Sequence, residues 1–190
     1  YLNNGTPNKE IEFDGYTLKV VFDDHSDEKL VYLSDEGYAN ITDERGNQIK
    51  SINLRTVEVR SAAIDTENNT IYYQYFDGND FKQYSSVDYD GNRGANKSYP
   101  YDAKSFWNFV ESDDRIYISN NDVNYNTWLL SKFDPDSNSV NWEVSESDYS
   151  GINERLENSF TRTDNYVFVG TNDDAGNPYL LKVNPSNGNV

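Results

Sequence analysis

Short runs of apolar and aromatic residues alternate along this chain with polar turns, and one such run recurs four times. Its copies are Leu30-Val31-Tyr32-Leu33, Ile71-Tyr72-Tyr73-Gln74, Ile116-Tyr117-Ile118-Ser119 and Val167-Phe168-Val169-Gly170. The aromatic positions Tyr32, Tyr72, Tyr117 and Phe168 lie 40, 45 and 51 residues apart. Short runs rich in Tyr, Val and Ile, bounded by Asn, Asp and Gly, predict β-strands. We therefore predict an all-β chain.

A turn sequence follows each copy at a matching interval. Its first residues are Asp43, Asp88, Asp134 and Asn184, which lie 45, 46 and 50 residues apart. Asn-Gly and Asp-Gly pairs near Gly46, Gly91 and Gly188 supply the positive φ that tight hairpin turns require. Two independent markers with one period of roughly 45 residues, filled with short strands, predict the blades of a β-propeller.

Each repeat resolves into four strand candidates. In the third repeat these are residues 105–110, 115–119, 128–133 and 140–144, with Pro135 in the turn between the last two. The first strands of the other repeats are predicted at 17–22, 60–65 and 158–162. Pro is suited to that turn because its missing N–H costs nothing there. Residues 150–157 depart from the pattern and predict a short helical turn inserted between blades.

We predict a single propeller array over residues 1–190, made of about four four-stranded antiparallel blades. The blades are placed at approximately 9–43, 48–88, 96–134 and 139–185. Residues 9–13 resemble the fourth strand of a blade, but the first three strands of that blade do not precede them. They could therefore close a four-bladed ring by pairing with residues 179–184. The alternative, which we favour, is a piece of a larger propeller, because residues 1–5 resemble the turn at 184–188.

The third and fourth repeats resemble a known repeat family. Residues 129–142, with Asp134-Pro135 and Trp142, look like the quinoprotein-type (PQQ-like) propeller repeat, and so do 167–171 with 179–188. In that family an Asp-Pro-x-x-Gly turn links the third and fourth strands, and a Trp on the fourth docks on the next blade, which implies that role for Trp142. The second repeat, 64–73, is also similar to lipoprotein-receptor-type blades. The resemblance implies a fold and carries over no catalytic residue.

Charge narrows the range of partners. The chain carries 33 acidic against 16 basic residues, a net charge of -17. Such a field repels nucleic acid and anionic membranes, so we expect neither nucleic-acid binding nor membrane insertion. The acidity fits either a solvated surface rich in turn residues or a halophilic or calcium-rich setting. There is no Cys, which excludes disulfide scaffolds and thiolate metal sites.

The loops between second and third strands carry acidic residues in every repeat. In a propeller these loops share one face with the connections between blades. Convergent carboxylates suit hard cations such as Ca²⁺, whereas ordinary polar loops are the alternative. The candidate metal ligands are Asp77, Asp80, Asp122, Asp173 and Asp174. No other cofactor is expected.

Tyrosines of the connections between blades are predicted on the same face. Aromatic rings beside Asp and Asn suit sugar binding, and Tyr is also enriched at protein interfaces. Core packing is the alternative for each of them. The candidate ligand-binding residues are Tyr16, Tyr99, Tyr101 and Tyr149.

No motif names a reaction. His25 is the single histidine and lies in a polar turn, which rules out histidine triads for zinc or for nucleophilic catalysis. We therefore expect a non-enzymatic, extracellular or cell- or virion-surface propeller that binds a protein or glycan partner. The alternatives are a segment of a propeller enzyme, either a quinoprotein-like oxidoreductase or a polysaccharide-active enzyme, and a structural component that contacts other chains of a larger assembly.

Overall fold

The computed structural model describes residues 17–23, 29–34, 36–56, 58–79, 83–98, 108–112, 115–121, 128–145, 160–163, 165–172 and 175–190. Within these ranges the chain is all-β, as predicted, and forms four antiparallel sheets. Sheet I contains β1 (Thr17–Asp23), β2 (Lys29–Ser34), β3 (Tyr38–Asp43) and β4 (Gln48–Asn53). Sheet II contains β5 (Val59–Asp65), β6 (Thr70–Tyr75), β7 (Gln83–Asp88) and β8 (Lys97–Ser98).

The other two sheets follow in chain order. Sheet III contains β9 (Asn108–Ser112), β10 (Arg115–Asn121), β11 (Trp128–Asp134) and β12 (Ser139–Ser145). Sheet IV contains β13 (Phe160–Thr163), β14 (Tyr166–Asn172) and β15 (Pro178–Val183). In all four, each strand pairs with the next one along the chain, so every sheet is an up-and-down meander.

The recurring tyrosine run lies on the second strand of every sheet. In β2 the residues Val31 to Ser34 are all buried, and in β6 the residues Ile71 to Gln74 are all buried. Successive strand residues face opposite sides of a sheet, so both faces of sheets I and II are covered at these strands. In the third repeat β10, β11 and β12 fall where the sequence predicts them, whereas β9 extends two residues beyond the predicted 105–110 and residues 105–107 are outside the described ranges. The helical turn at 150–157 and the strand at 9–13 lie outside the described residues.

The first strands of the sheets contact one another in series. β1 packs beside β5, β5 beside β9, and β9 beside β13. Buried side chains are shared across these boundaries. One hydrophobic cluster joins sheets I and II and includes Leu33, Ile41, Ile64 and Ile71. A second cluster joins Leu130 and Val144 of sheet III to the last sheet. Successive sheets are therefore packed neighbours.

The turn that follows each third strand is built on a side-chain acceptor. Asp88 Oδ1 accepts the backbone N–H of Asn92 at 2.7 Å, and Asp88 Oδ2 accepts its side-chain amide at 2.8 Å. These hydrogen bonds, with that from the Asn92 side chain contributing most, lower the pKa of Asp88. Gly46, Gly91 and Gly188 adopt the predicted positive φ. In the third repeat Asn138, at φ 56°, takes that conformation.

Within the described ranges, no helix is long and apolar enough to span a bilayer.

Candidate functional site

Each described sheet boundary is bridged by a lysine that donates to a main-chain carbonyl in the next sheet's turn. Lys50 Nζ lies 2.6 Å from Asp90 O, Lys97 Nζ lies 2.7 Å from Pro135 O, and Lys132 Nζ lies 3.0 Å from Pro185 O. Trp142 Nε1 also donates to Pro185 O at 3.0 Å. The resemblance to the quinoprotein-type repeat implies this docking role for Trp142, and the tryptophan does contact the next sheet.

Two tyrosines of sheet II also reach the turn of sheet III. The Tyr84 hydroxyl lies 3.0 Å from Pro135 O and 2.9 Å from Asn138 Oδ1. The Tyr72 hydroxyl donates to Asp136 Oδ1 at 3.2 Å. Burial, followed by the nearby Asp136 carboxylate, raises the pKa of both phenols above the ordinary value of a tyrosine.

We expect the protein to lose stability in alkali through Tyr72. Its pKa is higher in the folded than in the unfolded chain, so its contribution is complete below pH ~10 and falls as the pH rises further. The slope is at most about 1.4 kcal/mol per pH unit for one proton. Urea unfolding at pH 8 and pH 11 should show a smaller alkaline loss in Tyr72→Phe than in the wild type. Equal losses in the two proteins would contradict this prediction, and Tyr179→Phe, at a half-exposed position, is the control.

A polar cavity of about 220 Å³ lies where sheets I and II meet. We call it the junction pocket. One wall is the connection that leaves β4, and the others come from β6, β7 and the segment that precedes β8. This places the pocket beside the connection between sheets I and II and the end of β6. Its described lining residues are Leu54, Arg55, Thr56, Tyr73, Tyr75, Ser85, Arg93, Gly94 and Asn96.

Arg93 fastens the connection to sheet II. Its Nη1 donates to Leu54 O at 2.9 Å and to the Tyr73 hydroxyl at 3.3 Å, and its Nη2 donates to Asn53 O. The Tyr73 hydroxyl donates in turn to Leu54 O at 3.4 Å. A guanidinium has five N–H groups, so these bonds leave one on Nη2 and one on Nε. These hydrogen bonds orient the Arg93 guanidinium, and its two remaining N–H groups can donate to a ligand.

Arg55 also lines the pocket and has an unusual backbone. It is a non-glycine residue at φ 57°, held there by a 2.7 Å hydrogen bond from its N–H to Asn53 Oδ1. The left-handed region costs an ordinary residue about 1–2 kcal/mol. Its side chain is exposed. Arg55 thus combines an exposed side chain with a strained backbone beside the pocket.

Two glycines permit the close contacts around the pocket. Gly94 lies in a bulge that precedes β8, between the Val87–Arg93 bridge and the Tyr84–Lys97 pair. A Cβ on Gly94 would lie 2.1 Å from Ser86 Oγ. Gly37, between β2 and β3, accepts the N–H of Leu54 at 2.8 Å. It thereby supports the connection from the side of sheet I.

Hydrogen-bonding groups and aromatic rings share this small space. The rings of Tyr73 and Tyr75 lie 5.9 Å apart at 44°. Burial, followed by the neighbouring Tyr73, raises the pKa of Tyr75, so its hydroxyl keeps its proton at neutral pH. Within the described lining there is no carboxylate, histidine or thiol. The pocket can accordingly offer cationic and neutral donors to a ligand.

The residues predicted from the sequence as a site are described only in part. Tyr16, Tyr99, Tyr101 and Tyr149 lie outside the described residues, as do Asp80, Asp122, Asp173 and Asp174. Asp77 is described and exposed, and its Oδ1 accepts the N–H of Asn79 at 2.8 Å. Across the ranges that the structure describes, no three potential metal-binding side chains cluster together. Calcium binding stays a prediction.

Sequence reasoning missed the arginines of the junction pocket. Arg93 comes directly after the Asp88–Asn92 turn, and Arg55 follows closely on β4, so both occupy positions that read as ordinary polar surface. A usable signal exists in retrospect, since the second repeat is the only one with Arg-Gly directly after its turn. That pair marks the bulge that opens the pocket.

Comparison with known protein families and with curated proteins gives no match to this sequence.

Proposed function

We propose that the four sheets are blades of a β-propeller of the quinoprotein-like repeat type. Three observations support this arrangement. All four sheets are meanders, their first strands contact one another in series, and each described boundary has a lysine that donates to a carbonyl of the next sheet's turn. Propeller blades pack in this manner around a central channel. An experimental structure in which β1, β5, β9 and β13 do not surround one axis would overturn the proposal.

Sheet IV supports a propeller larger than four blades. Leu180 of β15 is 65% exposed. Tyr84 of sheet II and Leu130 of sheet III pair with the same position of their second strands as Leu180 does. These two equivalent residues are only 2% and 0% exposed. Lys182 is the counterpart of Lys132, and its Nζ lies 3.7 Å from the centre of the Tyr166 ring. An exposed apolar residue next to a lysine at the position of Lys132 is suited to receive the turn of a further blade.

We propose that this propeller is a non-enzymatic binding module, acting outside the cell or on a cell or virion surface. The observation that carries the proposal is the junction pocket, in which two tyrosines and several neutral hydrogen-bonding groups line one concavity. Rings beside hydroxyl and amide groups favour a glycan over a protein partner, because sugars present both apolar ring faces and hydroxyl groups.

A glycan array of neutral and acidic oligosaccharides tests this function. We expect at least one class of oligosaccharide to bind, and binding to fall at least tenfold in Tyr75→Ala while Tyr179→Ala binds as the wild type does. The bound oligosaccharide should keep its length, as measured by mass spectrometry. Failure to bind any member of the array, or steady shortening of the bound chain, would count against the proposal.

A second candidate is a structural role in a larger assembly. The exposed face of sheet IV, with Leu180 and the half-exposed Tyr179, favours it. Other chains could cover this face in the way that sheet III covers Tyr84. Oligomers that form in the wild type and dissociate in Leu180→Asp would support this role, whereas a monomer at all concentrations would exclude self-assembly.

A further inference from the structure

We infer that the junction pocket binds the carboxylate of an acidic sugar, such as a uronic acid. The inference rests on the proposed function as a glycan-binding module and names its ligand class. It is carried by the two arginines, by the strain at one of them, and by the aromatic and hydroxyl groups that line the same pocket.

The charged residues that line the pocket are basic, although the chain as a whole is acidic. Acidic residues outnumber basic ones 33 to 16, yet neither Arg55 nor Arg93 pairs with a carboxylate among the described residues. By contrast, Arg45 lies 3.7 Å from Glu44, and Lys50 lies 4.0 Å from Asp90. Within the part of the chain that the structure describes, the two guanidinium groups of this small cavity therefore have no carboxylate partner, which favours an anionic ligand. Guanidinium groups match carboxylates in shape and can bind them with two parallel hydrogen bonds.

The roles of the two arginines differ. Arg93 donates three hydrogen bonds to other groups of the protein, so part of its role is to stabilise the fold. Arg55 has no such role for its side chain in the described structure, and glycine would adopt its φ of 57° without strain. An exposed arginine kept at a strained position on a pocket wall is better explained by a ligand than by the fold.

The remaining groups point to a sugar as the carrier of the carboxylate. Tyr75 is half-buried and lines the cavity, as do Thr56, Ser85 and Asn96, whose side chains are polar and neutral. A site for a bare anion would not need an aromatic wall. The volume of about 220 Å³ is below the roughly 300–1,000 Å³ of pockets for drug-sized ligands, and suits a single ring.

Calorimetric titration with D-glucuronate, D-glucose, acetate and inorganic phosphate tests the inference. We expect glucuronate to bind at least tenfold more tightly than glucose or acetate, and more tightly than phosphate. Arg55→Gln should weaken glucuronate at least fivefold. Arg45→Gln removes the same charge from an exposed turn and should change the affinity less than twofold.

Arg55→Gly separates a ligand role from a structural one. Because glycine relieves the backbone strain, this variant should unfold at the same or a higher urea concentration than the wild type, and yet bind glucuronate as poorly as Arg55→Gln. Undiminished glucuronate binding in both variants, or equal affinities for glucose and glucuronate, would overturn the inference. A wild type that binds a neutral oligosaccharide through Tyr75 but not glucuronate would overturn the inference alone and leave the proposed function standing.

Discussion

Replacing Tyr84 with alanine should cost about 3–5 kcal/mol of folding free energy, as the loss of large buried aromatic side chains does. Tyr84 is 2% exposed, and its ring packs edge-on against Phe133 with centroids 5.5 Å apart. Its hydroxyl also lies within hydrogen-bonding distance of two acceptors in the next turn. The variant therefore opens a cavity between sheets II and III and removes a polar contact between them. Urea unfolding followed by tryptophan fluorescence measures the loss.

Tyr84→Phe separates the contribution of the ring from that of the hydroxyl. It keeps the ring and removes only the hydroxyl, so we expect a loss of about 1–2 kcal/mol. Pro135 O would still accept from Lys97 at 2.7 Å, which limits the damage. In a double-mutant cycle, Tyr84 and Phe133 should couple by about 0.5–1.5 kcal/mol, the range for aromatic pairs. If Tyr84→Ala cost no more than Tyr179→Ala, at a half-exposed position, the two sheets would not be joined at this tyrosine.

Gly37→Ala should be the next most damaging change, at about 2–4 kcal/mol, because it combines an unfavourable backbone conformation with overpacking. Gly37 has φ 81°, and a Cβ there would lie 2.6 Å from the carbonyl oxygen of Thr56 and 3.3 Å from its Cγ2. The nearest obstacle is main chain, which cannot rotate away. The Thr56 segment would have to move, so we also expect weaker ligand binding at the junction pocket.

Gly176→Ala is the matched control for Gly37→Ala. Gly176 has nearly the same φ, 78°, and no atom lies within 4 Å of the position that a Cβ would take there. It should therefore lose only the backbone part, about 1–2 kcal/mol. The difference in unfolding free energy between the two variants measures the contact with Thr56. Equal losses would show that the connection yields freely, which would contradict the close packing seen at this wall.

The sequence predicts the fold much better than the site. The positions of β10, β11 and β12 follow from local composition and from a turn that begins with Asp-Pro and ends with Asn, so a repeated pattern is enough to locate them. The junction pocket depends instead on a one-residue bulge at Gly94 and on the approach of Arg55 and Arg93 from different sheets. Such meetings depend on packing between repeats, which periodicity along the chain does not encode.

The position of the tyrosine run shows the same division. Its spacing correctly indicates a second strand in every sheet. The burial of Tyr72 and its hydrogen bond to Asp136 require the neighbouring sheet, which the pattern of sheet II alone does not reveal. The sequence of a single repeat is therefore enough to predict its second strand. The contact between Tyr72 and Asp136 depends on how two repeats pack together.

The lysine bridges between sheets have an evolutionary consequence. Their acceptors are main-chain carbonyls, at Asp90, Pro135 and Pro185, and every residue type supplies such an oxygen. A duplicated or transplanted repeat therefore brings a usable acceptor with it, whatever side chains its turn has acquired. The side chains of the turn can therefore diverge between repeats while the acceptor of the bridge is kept.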